Sequence, residues 1–213
     1  MQNTKSKITQ TTIDLFNEHG CRNVSIPQIA EAMSISLGNL TYHFPKKDDL
    51  MQSVYLKFQD ELAKITKEYR TAADLEEINK QLIGFHQFQE RFRFFYLDLL
   101  EMGRAYPEIA KQHHIYIEDN LKGIYNYFIF NVGTGNLKPF DNLKVYEQLA
   151  HQFWMTAVFW HMQLAFRGKT GAIEEKLAAV WGVVTPYLTE KGKANLELII
   201  GDNEKIRPAL LKK

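Results

Sequence analysis

One cysteine, Cys21, in 213 residues leaves no partner for an internal disulfide and no second thiol for a cysteine-based zinc site; it reads as a small residue in a turn. No window approaches 18 uninterrupted apolar residues, and the opening MQNTKSKITQ lacks the apolar core of a secretory signal. The chain is therefore expected in the cytoplasm, with no membrane contact. Bulk charge is nearly absent as well. The 26 Lys and Arg against 25 Asp and Glu leave +1, the balance of an ordinary soluble protein. Catalytic signatures are missing too: there is no G-x-S-x-G, H-E-x-x-H or P-loop, and the Gly133 and Gly135 pair lacks the third glycine and the preceding strand of a dinucleotide site. The chain is expected not to be an enzyme and to need no cofactor. What is present is enough apolar material for a substantial core, 45% of residues, which excludes a disordered type. Helical spacing runs through the chain with no convincing strand and no internal repeat, so the class is all-α.

The most informative stretch is Ser25–Leu50, SIPQIAEAMSISLGNLTYHFPKKDDL. Ile29, Ala30 and Met33 put small or apolar groups on one side of a short helix capped by Ser25, with Pro27 in the first turn, where a missing N–H costs little. Ser34 and Ile35 interrupt the pattern. Ser36 is a second N-cap, opening a helix from Leu37 to about Phe44 that Pro45 closes. On that helix Leu40 and Phe44 share the inward face, Gly38 and Tyr42 point away, and Asn39 and Thr41 flank them, with Leu37 in the first turn. A two-turn helix does not hold itself together in water, so the two helices form a braced pair locked by Ala30, Ile35, Leu40 and Phe44. The bland alternative is a helical hairpin inside a larger bundle. The functional one is a helix-turn-helix, whose second helix lies in a major groove with first-turn side chains at base edges.

The run Ile29–Leu50 resembles the N-terminal signature of the tetracycline-repressor (TetR) family of bacterial transcriptional regulators, I-A-x-x-A-G-V-S-x-G-x-L-Y-x-H-F-x-x-K-x-x-L. Ile29, Ala30, Ser36, Gly38, Leu40, His43, Phe44, Lys47 and Leu50 match in register, and Ile13–Gly20 resembles the end of that family's first helix and its following turn. The resemblance implies a three-helix DNA-binding domain over residues 1–47, with the helix-turn-helix at about 25–44, and a larger helical bundle over 48–213 for dimerisation and ligand binding. Three positions depart from the pattern. Ser34 replaces a turn glycine and requires a turn that tolerates a side chain at φ > 0. Thr41 replaces a tyrosine that touches the DNA backbone, and Leu37 replaces a polar or basic residue at the entrance of the recognition helix.

The expected reading face is Ser36, Leu37, Gly38, Asn39, Thr41, Tyr42 and His43. Residues 1–50 carry five positive and five negative side chains, so attraction to DNA has to rest on placement. Lys5 and Lys7 lead into the first helix and Lys46 and Lys47 open the fourth, bracketing the face where phosphates would run.

Beyond this stretch, apolar steps of three and four predict helices over 48–69, 75–102, 107–131, 143–167, 173–189 and 194–200. A break at 70–74, a loop at 133–139, a turn at 168–171 and a basic tail separate or end them. His113, His114 and Glu118 read as solvated surface, and His151 and His161 lie too far apart around one helix to share a metal, so no metal site is expected. His161, on the face of Trp154, reads as a core or interface histidine. Of the chain's aromatic residues (14 Phe, 10 Tyr and 3 Trp), 19 lie between Phe85 and Phe166, where an even spread would put about ten. That density is either a filled core or the wall of an effector pocket made by Phe88, Phe92, Tyr96, Tyr127, His151, Phe153 and Trp154; the two look identical in sequence.

The combined expectation is a regulator that reads double-stranded operator DNA as a homodimer and is released by a small apolar or aromatic effector. Its dimer interface is expected from about 143–167 and 172–189. Ala157, Trp160 and Leu164 on one segment, and Leu177, Val180, Trp181 and Val184 on the other, give wider apolar faces than internal packing needs. The alternatives from other classes are a helical ligand-binding or interaction protein without operator binding, and a cofactor-free enzyme. Retardation of DNA from the upstream region of the protein's own gene separates them.

Overall fold

The structure, a computed structural model, describes residues 4–66 and 73–201. It is built from helices: α1 Thr4–His19, α2 Ile26–Ala32, α3 Leu37–His43, α4 Lys47–Thr66, α5 Leu75–Arg91, α6 Arg93–Leu97, α7 Leu99–Ala105, α8 Pro107–Gly133, α9 Lys144–Val158, α10 Trp160–Phe166, α11 Ile173–Val184 and α12 Glu190–Gly201. Short 3-10 turns occupy Cys21–Asn23 and Thr185–Tyr187. The strand-type pairing among the described residues is one antiparallel bridge, Leu137 with Leu188. None of the described helices is long and apolar enough to cross a membrane. The expected end of α4 at 69, most of the break at 70–74 and the basic tail lie outside the described residues.

Contacts divide the chain into two compact units, residues up to 64 with 88–113, and 65–87 with those from 114 on. The boundary expected at residue 47 therefore falls inside the first unit, which takes in α6, α7 and most of α4 beside the three N-terminal helices.

In the first unit, α1, α2 and α3 close over Ile8, Ile13, Phe16, Ile29, Leu40 and Phe44, each at most 1% exposed. Further along, Phe58 of α4 centres an aromatic cluster, its ring centroid 4.8 Å from Phe88, 5.3 Å from Phe92 and 4.3 Å from Phe95. Tyr55 and His113 complete it, with the phenol oxygen 3.5 Å from His113 Nδ1 and the Phe95 ring 5.0 Å from the imidazole. His113 is thus a core residue rather than solvated surface. It lies one turn after buried Ile109 on the inward side of α8, and burial pushes its pKa down to about 4. His114 and Glu118, on other sides of the same helix, are exposed.

The single helix expected over 75–102 is three helices. Breaks fall at Phe92 (φ −113°, ψ 36°) and Asp98 (φ −106°, ψ 14°), with neither proline nor glycine to announce them. A straight helix would bond the Arg91 carbonyl to the Phe95 N–H, but that N–H goes to the Phe92 carbonyl instead, at 3.0 Å. The Asn17 side chain of α1 takes over the freed groups: its Nδ2 donates to the Arg91 carbonyl at 2.8 Å and its Oδ1 accepts the Phe94 N–H at 3.0 Å. At the second break Asp98 Oδ2 accepts the Cys21 N–H at 3.1 Å. Tertiary hydrogen bonds, not backbone propensity, hold the kinks.

The second unit packs α9 against α11 around Tyr146, Leu149, Phe153, Leu177, Val180, Trp181 and Val184. The Trp181 indole donates to Asn79 Oδ1 at 2.9 Å inside this core. Of the residues expected at a dimer interface, Ala157, Leu164, Leu177, Val180, Trp181 and Val184 are at most 6% exposed and pack within the protomer, while Trp160 is half-buried. The segment expected as one helix over 143–167 breaks at Phe159 (φ −85°, ψ 8°) into α9 and α10. The helix expected to reach 189 ends at Val184, where Pro186 sits in a 3-10 turn. Thr189 then caps α12, accepting the Gly192 N–H at 3.0 Å on its hydroxyl, which starts that helix at 190 rather than 194. The turn after α8 is held by amides: Asn131 donates to the Ala73 carbonyl at 2.8 Å and accepts from Asn136, which accepts from Asn195, each at 2.9 Å. Gly192 is required here, since a Cβ would stand 2.0 Å from the Asn136 carbonyl oxygen.

Candidate nucleic-acid interface

Both helices of the braced pair are closed at their start. Gln28 reaches back to accept the Ser25 N–H at 2.8 Å, closing the start of α2, and Ser36 Oγ accepts the Asn39 N–H at 3.1 Å at the start of α3. Between them Ser34 adopts φ 53°, the left-handed conformation that its place in the turn demands, while the Ile35 N–H bonds the Ala30 carbonyl at 3.0 Å. With Leu40 and Phe44 turned into the core, α3 presents Tyr42 at 82% exposure and Leu37 at 48%, together with exposed Gly38, Asn39 and Ser36. Thr41 is half-buried, its hydroxyl donating to the Leu37 carbonyl at 3.0 Å, and half-buried His43 meets the Tyr42 ring edge at 5.3 Å.

The four lysines do not act alike. Lys7 and Lys46 are exposed, and Lys5 is exposed with its ammonium 5.1 Å over the Phe44 ring. Lys47 departs from the expectation. Its Nζ turns inward and donates to the carbonyls of Cys21 at 3.2 Å and Val24 at 2.8 Å, so it secures the chain entering α2 instead of facing a phosphate. Cys21 lies in the 3-10 turn as a buried thiol whose pKa burial pushes up to about 11, which leaves it neutral. A cleft of about 490 Å³ opens beside it, walled by Arg22, Lys47, Asp98, Glu101 and Arg104.

Comparison with known proteins agrees with this geometry. A family model described as "Bacterial regulatory proteins, tetR family" matches residues 8–54, and the TetR model described as "Bacterial transcriptional repressor" matches residues 57–196. The chain belongs to the TetR family. The probable HTH-type transcriptional regulator YttP of Bacillus subtilis (strain 168) is 23% identical over 104 residues, 45% of this chain and 50% of that relative. The HTH-type transcriptional regulator UidR of Escherichia coli (strain K12) is 23% identical over 122 residues, 55% of this chain and 62% of that relative. The match therefore spans about half the length of the curated relatives. Among solved structures, a TetR-family transcriptional regulator from Marinobacter aquaeolei VT8 superposes with a TM-score of 0.81 at 25% identity, covering 97% of this chain and 100% of that one.

The aromatic residues expected to wall one TetR-type effector pocket are divided between the units. Phe88, Phe92 and Tyr96, each at most 4% exposed, belong to the first unit, around Phe58. Tyr127, Phe153 and Trp154 belong to the second, where the Phe153 ring packs 5.7 Å from Phe128, and His151 stands exposed on α9. Helical spacing fixes which side chains share a face but not which core that face meets, which is why the seven could be grouped in sequence. Sequence reasoning also missed what the second unit keeps polar inside. Trp154 Nε1 and Trp160 Nε1 are buried donors without an acceptor among the described residues. His161 is buried, as expected, with its ring stacked 5.2 Å from that of His86.

Proposed function

We propose that the protein is a homodimeric, operator-binding transcriptional repressor of the cytoplasm that a small apolar or aromatic effector releases from DNA. The observation that carries the reading is the outer face of α3: a two-turn helix braced on its inner side by Leu40 and Phe44, with Leu37, Gly38, Asn39 and Tyr42 open to solvent. An 82% exposed tyrosine buries little on folding, and it suits a major-groove or sugar-phosphate contact. One such helix covers too few base pairs to be selective, and a two-fold pair doubles the readout. The outer sides of α9 and α11 offer the pairing surface, with Met155 at 55% exposure beside exposed Gln152, and Gly182 on α11. For the effector, the unmatched donors Trp154 and Trp160 favour a largely apolar molecule carrying hydrogen-bond acceptors, since buried donors in proteins are normally satisfied.

The test begins with selection of bound duplexes from a random library, followed by titration of the best. Asn39→Ala and Tyr42→Ala should each lose about 1–3 kcal/mol of affinity, roughly 5- to 150-fold, with an unchanged melting temperature. Wild-type affinity in both variants would refute the orientation of α3. Light scattering should report a dimer at micromolar concentration. Any hit from a thermal-shift ligand screen should weaken operator binding, and operator should weaken the hit by the same factor.

A further inference from the structure

We infer that Asn17, seconded by Asp98, is a positioning residue for DNA reading: it fixes the α1–α3 frame to the two breaks in the α5–α6–α7 run. The inference rests on the operator-binding dimer proposed above. Because α3 is locked to α1 through one core, whatever holds the C-terminal end of α1 also aims the reading helix. Five polar links do so. Asn17 bonds both sides of the break at Phe92, through the Arg91 carbonyl at 2.8 Å and the Phe94 N–H at 3.0 Å. Asp98, which forms the second break, accepts the Cys21 N–H at 3.1 Å in the turn that follows α1. Arg93 donates to the Asn17 carbonyl at 3.3 Å, and Arg22 pairs with Glu101 at 2.9 Å.

The links are unequal. The Arg22 and Glu101 side chains are 78% and 46% exposed, so water competes for that pair and it holds little. The Asn17 and Asp98 bonds instead satisfy backbone groups freed where the helices break or turn, and those to the Phe94 and Cys21 N–H groups are part-buried while the one to the Arg91 carbonyl is exposed. Asn17 behaves as a stand-in peptide group, supplying one donor and one acceptor where the helix supplies neither. Both breaks thus coincide with an anchor of the reading frame, beside the contact of the Phe16 and Phe94 rings at 5.2 Å.

A positioning role has a signature that a purely structural one lacks, the tolerance of half-site spacing. Paired recognition helices engage sites one turn apart, and each inserted base pair moves one site by about 3.4 Å and rotates it about the duplex axis. A firmly aimed head should lose about tenfold in affinity, near 1.4 kcal/mol, on insertion or deletion of one base pair between half-sites.

The experiment titrates the full-length protein with the library-selected duplex and with versions carrying one base pair more or fewer at the centre. Melting curves are recorded for every variant. Asn17→Ala and Asp98→Ala should bind the best spacing more weakly and flatten the spacing profile to within about threefold. Asp98→Asn keeps the acceptor for the Cys21 N–H and should restore the steep profile. Should Asn17→Ala lose its cooperative melt, Asn17→Asp, which keeps only the acceptor for the Phe94 N–H, takes its place beside Asp98→Ala. Folded variants with the wild-type spacing profile would overturn the inference and leave the operator reading intact. Failure of the unaltered protein to select any two-fold site would instead remove the operator reading, and this inference with it.

Discussion

Acid should weaken the first unit through one imidazole. His113 sits among Tyr55, Phe58 and Phe95 at 7% exposure, and burial holds its pKa at about 4, against about 6.5 for an exposed histidine. Between those values the unfolded chain binds a proton that the folded chain refuses, so stability falls as the pH drops through this window. The contribution is complete above pH 6.5 and is lost progressively towards pH 4. On this group alone the loss comes to about 2 kcal/mol by pH 5 and about 3 kcal/mol by pH 4. The Tyr55 hydroxyl stands 3.5 Å from Nδ1, a long hydrogen bond that does little for an imidazolium. Urea unfolding of the wild type and of His113→Gln at pH 7 and pH 5 isolates the effect, because carboxylates titrate alike in both. The wild type should lose about 2 kcal/mol more than the variant over that interval. Parallel losses would show that the imidazole accepts its proton in the folded state, and the burial argument would fail.

Two further changes test the reading head. Ser34→Gly should raise the melting temperature, because a left-handed serine costs about 1–2 kcal/mol and the added freedom of an unfolded glycine returns only about half of it; an unchanged or lower melting temperature would mean that the turn carries no strain. Lys47→Ala should cost about 1–2 kcal/mol of stability through the two carbonyls it leaves, while the slope of DNA affinity against salt stays where it was. A flatter slope with unchanged stability would return Lys47 to the phosphate-facing role expected from its position in the chain.

The parts of this molecule that sequence exposes are those decided by neighbours in the chain. Ser25, Pro27, Ser36 and Pro45 mark helix ends by local chemistry, and the alternation of Leu40 and Phe44 with Gly38 and Tyr42 tells inside from outside over two turns. The left-handed Ser34 was legible for the same reason, as a side chain standing in a glycine's place. What sequence hides is set by distant partners. Phe92, Asp98 and Phe159 break helices without proline or glycine, and at Phe92 the compensating group is Asn17, 74 residues before Arg91 in the chain. Lys47 looked like a surface cation because nothing local reveals that two carbonyls lie within its reach. The same limit let residues of two units be grouped together, since Phe92 and Phe153 each belong to an apolar stripe and only the tertiary arrangement assigns the stripes to separate cores. His113 was the recoverable miss: it stands four residues after Ile109, and that spacing alone placed it inward.

The amide relay through Asn131, Asn136 and Asn195 bears on how this molecule breathes. α12 is the last helix among the described residues, and helices near a chain end usually fray early, their amides exchanging with solvent long before those of the core. Here α12 is stitched back to the exit of α8 by Asn195, and Thr189 at its start donates to the Gly135 carbonyl at 2.7 Å, while Leu196 and Ile200 are buried beneath it. Peeling α12 away would strand the Asn136 side chain and uncover the turn on which the Asn131 bond to Ala73 depends. The end of α8, that turn and α12 are thereby joined into one foldon, which opens as a whole or stays shut.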